Sequence, residues 1–442
     1  MKLNLDKKID LIRSKNKRIE FNKSVIEVLF RSANGRCSVP RCKKPTMGPD
    51  KSGLRALNMG VACHIFSAAA TGPRGRSGQD DRFISSVENG IWCCQYHAAL
   101  IDKNNGSDYS AAMLFAWKKL AEARTLKLMN DVPSPLGWVE SIEFTEFAEK
   151  TKLPKVNLSR NTLVKGRNGS GKSVLLEIAA TISNGNFSER FLGTTVRNVD
   201  GTSRSAEFCA KVKYSTVDSF EKEITVEIRD SVLTRKEGSV ECLLPPGDIE
   251  VILVSKDQCQ RQSDEDDIEF FVRVLGIDKI ALYSLAKIGT KSVMPGDITF
   301  VQAIVYDDED NAFPRERENG APYMELRFKK KGKSSANNFS GLSGSEQVRL
   351  ILDLFISKAR EVCKQRLTLL LIDDFISNFD EVNFENLLTE LCREDFQSVA
   401  IFIPGHYKKF LEQDKEKSSL KKLDFLEAWR LVDLDALGYF SD

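Results

Sequence analysis

Eight consecutive residues carry the clearest chemical signal in the sequence. Gly166 to Ser173 read Gly-Arg-Asn-Gly-Ser-Gly-Lys-Ser and match the pattern G-x-x-x-x-G-K-[ST] at every fixed position. In this pattern the glycines turn successive backbone N–H groups toward one oxyanion, the lysine reaches the terminal phosphates and the serine hydroxyl ligates Mg²⁺. The sequence therefore predicts a site for ATP and magnesium. The expected ligands are Gly166, Asn168, Gly169, Ser170, Gly171, Lys172 and Ser173.

The residues around and beyond this loop predict the elements that position it. Asn161 to Lys165 read as a strand before the loop, and Val174 to Ala180 read as a helix whose N-terminus faces the phosphate. Thr368 to Asp374 is an apolar run that ends in two carboxylates, which is typical of a buried parallel strand with acids at its carboxyl edge. A second buried strand, Val399 to Ile403, places His406 just beyond its end.

Two pairs of metal-binding side chains bracket a strand and a loop near the N-terminus. Cys37 and Cys42 stand around a turn, and Cys94 and His97 form a second pair at C-x-x-H spacing. Four such ligands close a tetrahedral zinc site and leave no position open for substrate. The sequence predicts a structural Zn²⁺ site, with Cys93 as the alternative to Cys94. Buried free thiols are the competing interpretation, which leaves His97 unexplained.

The order of the motifs resembles the ABC-type ATPase head, in the branch that includes SMC-like and RecF-like proteins. The resemblance covers about residue 138 to about residue 410 and includes Leu342-Ser-Gly-Ser-Glu-Gln347, which precedes a helix at Val348 to Val362. It implies a dimer in which two heads sandwich ATP, with the signature of one subunit reaching the phosphate bound by the other. Fewer than ~200 residues separate the loop from the signature, too few for the long coiled coil of an SMC protein.

The resemblance also implies a role for individual residues. The glutamate that usually activates water is replaced by Asp374, which is one methylene shorter, so hydrolysis is expected to be slow or the water to be reached differently. Gln258 is the expected link between nucleotide state and the adjoining domain, with Gln260 and Gln262 as rivals. The other implied roles are phosphate and Mg²⁺ binding by Lys172, Ser173 and Asp373, the signature at Ser343 and Gly344, the subunit contact at Asp380 and the switch histidine at His406.

The block around the zinc ligands resembles the zinc-stapled HNH endonuclease domain. In that domain a ββα-metal element carries a histidine on its first strand and an asparagine before its helix. His64 matches the general base and Asn89 matches the asparagine that orients it. The sequence departs from the pattern at Cys63, where an acid or a histidine that binds the catalytic metal often stands, and at Ala98, where the third histidine is expected.

Phosphodiester cleavage needs a base and a divalent cation that stabilises charge on the scissile phosphate. His64 supplies the first, and Mg²⁺ or Mn²⁺ is the implied cation. Its candidate ligands are Asp80, Asp81 and Asp102, or oxygen atoms of the substrate phosphate and water. A zinc-built DNA-binding module that does not cut DNA is the alternative.

Composition places the domain boundaries. Two prolines within residues 131–137 exclude a helix across that stretch, so it is the expected linker. It separates an α/β ABC-type ATPase head with β-rich and helical insertions, residues 138–442, from a small zinc-bound α+β domain, residues 35–130. Basic helices are expected in residues 1–34. The other expected elements are an edge strand at 138–147, strands at 207–214, 223–229, 249–254 and 323–328, a helix at 264–285, a solvated helix or loop at 408–422 and a strand at 429–440.

Charge is divided unequally along the chain, although the formal net charge is only +2. Residues 1–130 contain 23 Lys and Arg against 11 Asp and Glu, whereas the remainder contains 42 against 52. A basic N-terminal region favours nucleic acid, with double-stranded DNA held mostly through phosphate contacts. No apolar run approaches the ~18 residues of a membrane helix, and no signal peptide is visible. A soluble, cytoplasmic protein without a membrane partner is expected.

These features together predict an ATP-controlled DNA endonuclease. The pairing of an arm-less ABC-type ATPase with an HNH domain resembles prokaryotic anti-phage effectors such as the Septu system, in which the two parts are separate proteins. By that analogy an additional subunit of a defence system is a further expected partner. Two alternatives remain: a DNA-repair or DNA-tethering ATPase whose zinc module only binds, and a signalling ATPase that recruits an effector through residues 190–330.

Overall fold

The protein is described from a computed structural model, which covers residues 18–130, 135–148, 150, 152–197, 201–317, 319–414 and 417–436. The first of the two basic helices expected before residue 34 lies outside these ranges. The second is α1, Lys23–Ser32. Its N-terminus is capped by Asn22, whose side-chain oxygen accepts a hydrogen bond from the Val25 N–H at 2.9 Å.

A small α+β module follows α1. Its strands form two antiparallel hairpins, β1 with β2 and β3 with β4, and α3 follows β4 directly and packs on β3 and β4. The expected strand–strand–helix element is therefore formed. This module is called the zinc module, after the metal site that its sequence predicts. Its elements are β1 Met47–Pro49, β2 Ala56–Asn58, β3 Gly60–His64, α2 Asp81–Ile84, β4 Gly90–Cys94, α3 Gln95–Ile101 and α4 Ala111–Asn130.

The rest of the described chain is called the ATPase region, after the activity that its sequence motifs predict. Its strands are β5 Gly137–Phe147, β6 Lys155–Asn157, β7 Asn161–Lys165, β8 Thr195–Arg197, β9 Ser203–Ser205, β10 Phe208–Thr216, β11 Lys222–Arg229, β12 Val232–Glu237, β13 Val240–Glu241, β14 Ile249–Val254, β15 Gly296–Gln302, β16 Ile304–Tyr306, β17 Ala312–Pro314, β18 Met324–Lys330, β19 Asn337–Asn338, β20 Leu367–Ile372, β21 Gln397–Ile401, β22 Leu411–Asp414, β23 Lys417–Leu420 and β24 Trp429–Asp433. Its helices are α5 Lys172–Ala180, α6 Asp267–Leu275, α7 Lys279–Ile288, α8 Gly344–Val362, α9 Glu381–Cys392 and α10 Tyr407–Phe410. Within the described ranges, no helix is both long and apolar enough to cross a membrane.

A five-stranded parallel sheet carries the nucleotide motifs. Its spatial order is β14-β20-β21-β7-β24, and every neighbouring pair is parallel. All six residues of β20 are buried. Successive residues of this strand enter two different cores: Leu370 packs with α8 and α9, whereas Leu369 and Leu371 pack with α5. Helices therefore cover both faces, which explains why the strand reads as a continuous apolar run.

A six-stranded antiparallel sheet packs on the α5 side, in the order β13-β12-β11-β10-β5-β6. β5 pairs with β10 along one edge and with β6 along the other, so the expectation of an edge strand at residues 138–147 is wrong. The covering strand, β6, has only three residues. So short a partner gives no periodic signal in the sequence.

Two further expectations about elements are also wrong. The helix expected over residues 264–285 is two helices, α6 and α7. Gly276 ends α6 in the left-handed region at φ +60°, and Asp278 caps α7 by accepting from the Ala281 N–H at 2.8 Å. The solvated helix or loop expected at 408–422 contains the last turn of α10 and then the antiparallel hairpin of β22 and β23.

The zinc module shares its core with the ATPase region. Trp117 of α4 meets Trp138 of β5 edge to face, with ring centroids 5.9 Å apart, and Val217 from the turn after β10 joins the same buried cluster. Arg124 of α4 donates to the Thr216 carbonyl at 2.9 Å and to the Pro40 carbonyl at 3.3 Å. Gly137 already belongs to β5, so the connecting segment ends before residue 137. The two parts are packed together rather than joined only by a linker.

Candidate nucleotide, zinc and histidine sites

The phosphate-binding loop lies between β7 and α5, as expected. Gly169 and Gly171 both have φ of +81°, a conformation in which a side chain would be strained. The Lys172 Nζ donates to the carbonyl of Gly166 at 2.7 Å and to that of Arg167 at 2.8 Å, so the lysine closes the loop over itself. The N-terminus of α5 presents its backbone N–H groups at this loop and suits an anion.

Two other loop residues complete the expected set. The Ser170 hydroxyl is buried without a hydrogen-bond partner, so its hydrogen-bonding capacity is unused within the loop. Asn168 is exposed. Burial lowers the pKa of Lys172, and the nearby Asp435, Asp373 and Asp374 oppose that shift.

The expected magnesium ligands meet. Ser173 Oγ donates to Asp373 Oδ1 at 2.9 Å, across a separation of 200 residues. Asp373 follows β20 and is buried, whereas Asp374 is exposed at the start of a short 3₁₀ turn. Burial raises the pKa of Asp373, and the neighbouring Asp374 adds to that rise. A divalent cation at this pair would balance the negative charge of the buried Asp373 carboxylate. The two oxygen donors therefore fit Mg²⁺.

An ion pair beside these ligands was not anticipated from the sequence. Glu177 accepts two hydrogen bonds from Arg190 Nη1, both at 3.0 Å. Burial raises the pKa of Glu177, and Asp373 contributes to the rise, which places this carboxylate near the magnesium pair. Glu177 lies four residues after Ser173 on α5, and that helical spacing was the signal that could have revealed it.

Asp435 is a second residue that sequence reasoning missed. Both of its carboxylate oxygens accept from the Arg167 N–H, at 3.0 Å each. The strand before it, β24, pairs in parallel with β7, so Asp435 lies at the same sheet edge as the phosphate-binding loop. The strand expected at 429–440 is found over Trp429–Asp433, and residues 437–440 lie outside the described ranges. Asp435, two residues after the strand, holds the first turn of the loop.

The signature residues begin α8. Ser343 is the N-cap and forms a capping box with Glu346, while Gly344 is the exposed first residue of the helix. Lys330 donates to Glu346 at 2.6 Å, and this hydrogen bond is the main reason that the pKa of Glu346 falls to about 2. In the described chain no hydrogen bond joins Ser343 to Lys172. The helix end faces solvent and remains available to a second subunit.

Three further residues of the expected nucleotide set are His406, Asp380 and Gln258. His406 is buried, and its Nε2 lies 2.9 Å from the carbonyl oxygen of Phe379. Phe379 precedes Asp380, so the predicted switch histidine contacts the loop that carries the predicted subunit contact. Asp380 also caps α9 by accepting from the Asn383 N–H at 2.7 Å. Gln258 Nε2 donates to the carbonyl oxygen at the end of α6, at 2.6 Å. Of the three glutamines considered, Gln258 is the one whose side chain bonds to α6, and the backbone carbonyl of Gln260 accepts from Arg273 of the same helix at 2.7 Å.

The four expected zinc ligands lie together. One ligand atom from each of Cys37, Cys42, Cys94 and His97 falls within 4.8 Å of all the others, and all four residues are buried. The His97 Nδ1 is 3.5 Å from Cys37 Sγ and 3.2 Å from Cys94 Sγ. Ligand atoms about 2.0–2.3 Å from one zinc ion are separated by such distances. The set fits a closed structural Zn²⁺ site, and the structure selects Cys94 over Cys93.

Cys93 has a supporting position instead. Its hydrogen bond is the largest cause that lowers the pKa of Cys37, to about 4, which favours the thiolate that zinc binds. Burial raises the pKa of Cys42 to about 12, so this thiol keeps its proton until the metal binds. Binding of the metal then releases that proton.

His64 lies at the end of β3, where it pairs with Gly90 of β4. Its Nε2 is buried without a hydrogen-bond partner and its side chain lines a cavity of about 150 Å³. The ring of Phe21 stacks on the imidazole at a centroid distance of 3.7 Å and an interplanar angle of 4°. Burial is the main cause that lowers the pKa of His64, which keeps the imidazole neutral and able to accept a proton.

Within the described residues, Asn89 forms no direct hydrogen bond with His64, and its prediction as the residue that orients the imidazole stays a prediction. The Asn89 Oδ1 accepts from the Phe66 N–H at 2.7 Å, and its Nδ2 donates to the carbonyls of Phe66 at 2.9 Å and Ile84 at 3.1 Å. These bonds use the side chain fully and fix the loop that follows β3. Any effect of Asn89 on His64 would therefore pass through the backbone of that loop.

The candidate carboxylate ligands for a catalytic cation are engaged elsewhere. Asp102 accepts from Arg74 at 2.7 Å, Asp81 accepts from Arg76 at 3.0 Å, and Asp80 caps α2. In the described ranges the zinc cluster is the only group of three or more His, Cys, Asp or Glu with metal-binding geometry. The side chains around His64 do not by themselves form a site for Mg²⁺ or Mn²⁺, and the remaining expected ligands are oxygens of a substrate phosphate and water.

Comparison with known proteins finds solved structures only. No protein-family model and no curated sequence matches the chain. An SMC head bound to the C-terminal winged-helix domain of ScpA aligns with a TM-score of 0.42 and 13% identity, over 64% of this chain and 98% of that one. The ATP-bound recombination mediator RecF aligns at 0.38 and 14%, over 60% and 93%. The SMC head domain from Thermotoga maritima aligns at 0.34 and 13%, over 65% and 99%. These TM-scores are too low to assign a family or a function.

Proposed function

We propose that the protein is an ATP-regulated DNA endonuclease built from an ABC-type ATPase and an HNH-like zinc module. The observation that carries this proposal is His64, which has a neutral side chain with an unpaired, buried Nε2 and lines a cavity beside a zinc-anchored strand–strand–helix element. A neutral imidazole in that position suits a general base. The basic composition of the module supports DNA as the substrate.

In the ATPase region, Lys172 and the N–H groups of α5 hold the phosphates, and Ser173 and Asp373 hold Mg²⁺, which neutralises charge on the phosphates when bound. Asp374 orients the attacking water. Because Ser343 forms no hydrogen bond with the phosphate-binding loop among the described residues, the signature serves a second copy, and ATP closes a dimer. Each dimer then carries two zinc modules, whose packing on the ATPase regions transmits the closure.

In the zinc module, His64 Nε2 takes a proton from water. The resulting hydroxide attacks the phosphorus, the bond from phosphorus to the leaving oxygen breaks, and that oxygen is protonated by solvent. Zn²⁺ holds the element in place and takes no part in the reaction.

The test is cleavage of supercoiled plasmid in Mg²⁺ or Mn²⁺ by wild type and His64→Ala. The variant should lose cleavage and keep its zinc content, ATPase rate and DNA affinity, because a general base acts in the transition state rather than in binding. Asn89→Ala should lose less activity, since it acts through the loop. Cleavage by His64→Ala at the wild-type rate would overturn the assignment.

A second candidate function has specific support. Phe21 covers His64, and Arg74 holds Asp102, the acid that would otherwise be free near the imidazole. Both contacts favour a DNA-repair or DNA-tethering ATPase whose zinc module binds without cutting. Plasmid that stays intact in all metals, with and without ATP, but is retained by the protein would support this candidate.

The biological role proposed for the nuclease is anti-phage defence, by analogy with the Septu system. A phage challenge of cells that carry the wild-type gene, His64→Ala or Lys172→Ala tests it. Protection should require both residues. If His64→Ala protects cells as well as wild type does, protection does not depend on cleavage at His64.

A further inference from the structure

An exposed hairpin of the zinc module has no role in the sites described above. Residues 43–59 form a ribbon in which β1 and β2 pair from Met47 with Asn58 to Pro49 with Ala56. Every residue from 51 to 59 is exposed. The exposed residues include large apolar side chains, since Leu54 at the tip is 88% exposed and Met59 at the base is 56% exposed.

The charge of this basic hairpin is almost all of one sign. It contains four cations, Lys43, Lys44, Lys51 and Arg55, and all are exposed. None of the four forms an ion pair within the described part of the chain. Its single acid is Asp50, whose Oδ1 accepts from Ser52 N–H at 2.9 Å and from Ser52 Oγ at 2.7 Å. That carboxylate holds the turn and keeps its negative charge, so with four cations against one acid the ribbon carries a formal charge of +3.

The hairpin is fixed at its base and not merely an extended loop. The Trp92 Nε1 of β4 donates to Thr46 Oγ1 at 2.8 Å, and the same hydroxyl donates to the Gly35 carbonyl at 2.8 Å. The Met59 N–H donates to the Thr46 carbonyl at 2.7 Å. Cys42, a zinc ligand, lies four residues before Thr46. A buried tryptophan and the zinc site therefore hold the base of the ribbon while its tip projects into solvent.

We propose that the basic hairpin binds duplex DNA, with Lys51 and Arg55 on backbone phosphates and Leu54 as an apolar wedge in the groove. Two-stranded ribbons fit DNA grooves, and apolar side chains at the tip of a basic element are used to wedge between base steps. β2 leads within two residues into β3, which ends at His64. The ribbon and the histidine therefore belong to one continuous stretch of the module. This inference rests on the proposed DNA substrate.

The same surface has the composition to contact protein, but its charge favours DNA. A ribbon that packs on another subunit would bury four cations that have no acidic partner in the described part of this chain, and unpaired buried charge is strongly disfavoured. A phosphate backbone supplies the missing negative charge at regular spacing.

The experiment measures binding of a short fluorescein-labelled duplex at several salt concentrations. Lys51→Glu with Arg55→Glu should weaken binding about tenfold or more and reduce the salt slope by about two, because two phosphate contacts are lost. Leu54→Ala should leave the salt slope unchanged and reduce the fluorescence rise of a 2-aminopurine base, which reports unstacking. The matched control is Lys279→Glu with Lys287→Glu on α7, an equal charge change on an exposed surface of the ATPase region. Zinc content and thermal unfolding of every variant establish that the module is folded.

Wild-type binding and salt slope in the double hairpin variant would overturn the inference and leave the proposed function intact. Loss of self-association, measured by sedimentation, with unchanged DNA binding would also overturn it and identify the ribbon as a protein contact. If wild-type protein does not bind duplex DNA at all, the proposed function fails, and the inference fails with it.

Discussion

The nucleotide site and the histidine site of this protein are assembled in different ways. Most of the nucleotide site comes from one loop and two strand ends of the same sheet, and Ser173 already meets Asp373 without a ligand. The histidine site depends on ligands from Cys37 to His97 that hold its hairpin, and Phe21, from before α1, covers its base. Under the proposed function, the first site lacks only its ligands and a second subunit, whereas the second must be uncovered before it can act on DNA.

The difference has a physical origin. Glycines and the backbone N–H groups of a helix N-terminus form an anion site wherever the local sequence permits, with little help from the rest of the fold. A strand–strand–helix element with few apolar residues is not stable alone, so it needs a metal and a neighbouring core. Variants that change a metal ligand, the phosphate-binding loop, the shared core or the cap of α8 should therefore differ strongly in how much they change binding and stability.

Loss of a zinc ligand should have the largest effect. Cys37→Ser should abolish binding of one zinc ion per chain and unfold the zinc module, because structural zinc sites contribute about 10–16 kcal/mol of apparent binding free energy. Elemental analysis and limited proteolysis measure both results. Cys242→Ser, a change outside the cluster, is the control and should keep the zinc. Full zinc content in Cys37→Ser would show that the ligand set is wrong.

Loss of the loop lysine should remove nucleotide binding and leave the zinc module folded. Lys172→Ala should weaken ATP binding about a hundredfold or more, since it deletes charge-assisted hydrogen bonds to phosphate. Isothermal calorimetry measures this change.

Asp374→Ala is the informative counterpart. It removes only the candidate water-orienting group, so ATP should bind and hold the dimer closed. Sizing with and without ATP checks the expectation. A wild-type protein that remains monomeric with ATP bound would contradict the shared site between two subunits.

Truncation of the tryptophan shared by the two parts should have an intermediate effect. Trp138→Ala should lower the free energy of unfolding by about 3–5 kcal/mol and also speed zinc loss to a chelator, because Trp138 packs on Trp117 of the zinc module. Phe384→Ala, in the core of the ATPase region, should lower stability without faster zinc loss. If both variants release zinc at the same rate, the parts are not coupled through this contact.

The smallest effect is expected at the signature cap. The hydrogen bond from Lys330 lowers the pKa of Glu346 to about 2, so its contribution to stability is present above the ordinary carboxyl range and is lost as the pH falls through about 2. Glu346 is only partly buried, so Glu346→Gln should cost no more than about 1 kcal/mol near neutral pH. Thermal unfolding of both proteins should converge at acid pH. If the difference in thermal stability between the two proteins stays constant down to the lowest pH, the charge of Glu346 does not cause it.

The sequence was most informative where chemistry is local or where burial covers both faces of a strand. The loop at Gly166–Ser173 and the apolar strand before Asp373 were predicted because each is a continuous pattern. The zinc set was predicted from the spacing of two pairs, and the structure brings the pairs together.

Features set by tertiary contact were not predicted. Phe21 lies 43 positions from His64, and nothing in either segment indicates the stacking. The sequence suggested that Asn89 holds the imidazole, whereas its amide bonds to the loop backbone, a distinction that residue type cannot show. Asp435 reaches the phosphate-binding loop only because β24 pairs with β7. In each case the partner is chosen by packing between distant segments.

The central claim is that ATP bound at Lys172 controls DNA cleavage at His64. It is tested most directly by the rate of plasmid cleavage in Mn²⁺ or Mg²⁺, with and without ATP, for wild type, Lys172→Ala and His64→Ala. ATP should change the wild-type rate and leave the rate of Lys172→Ala unchanged, and His64→Ala should not cut under either condition. Equal wild-type rates with and without ATP, or cleavage by His64→Ala, would contradict the claim.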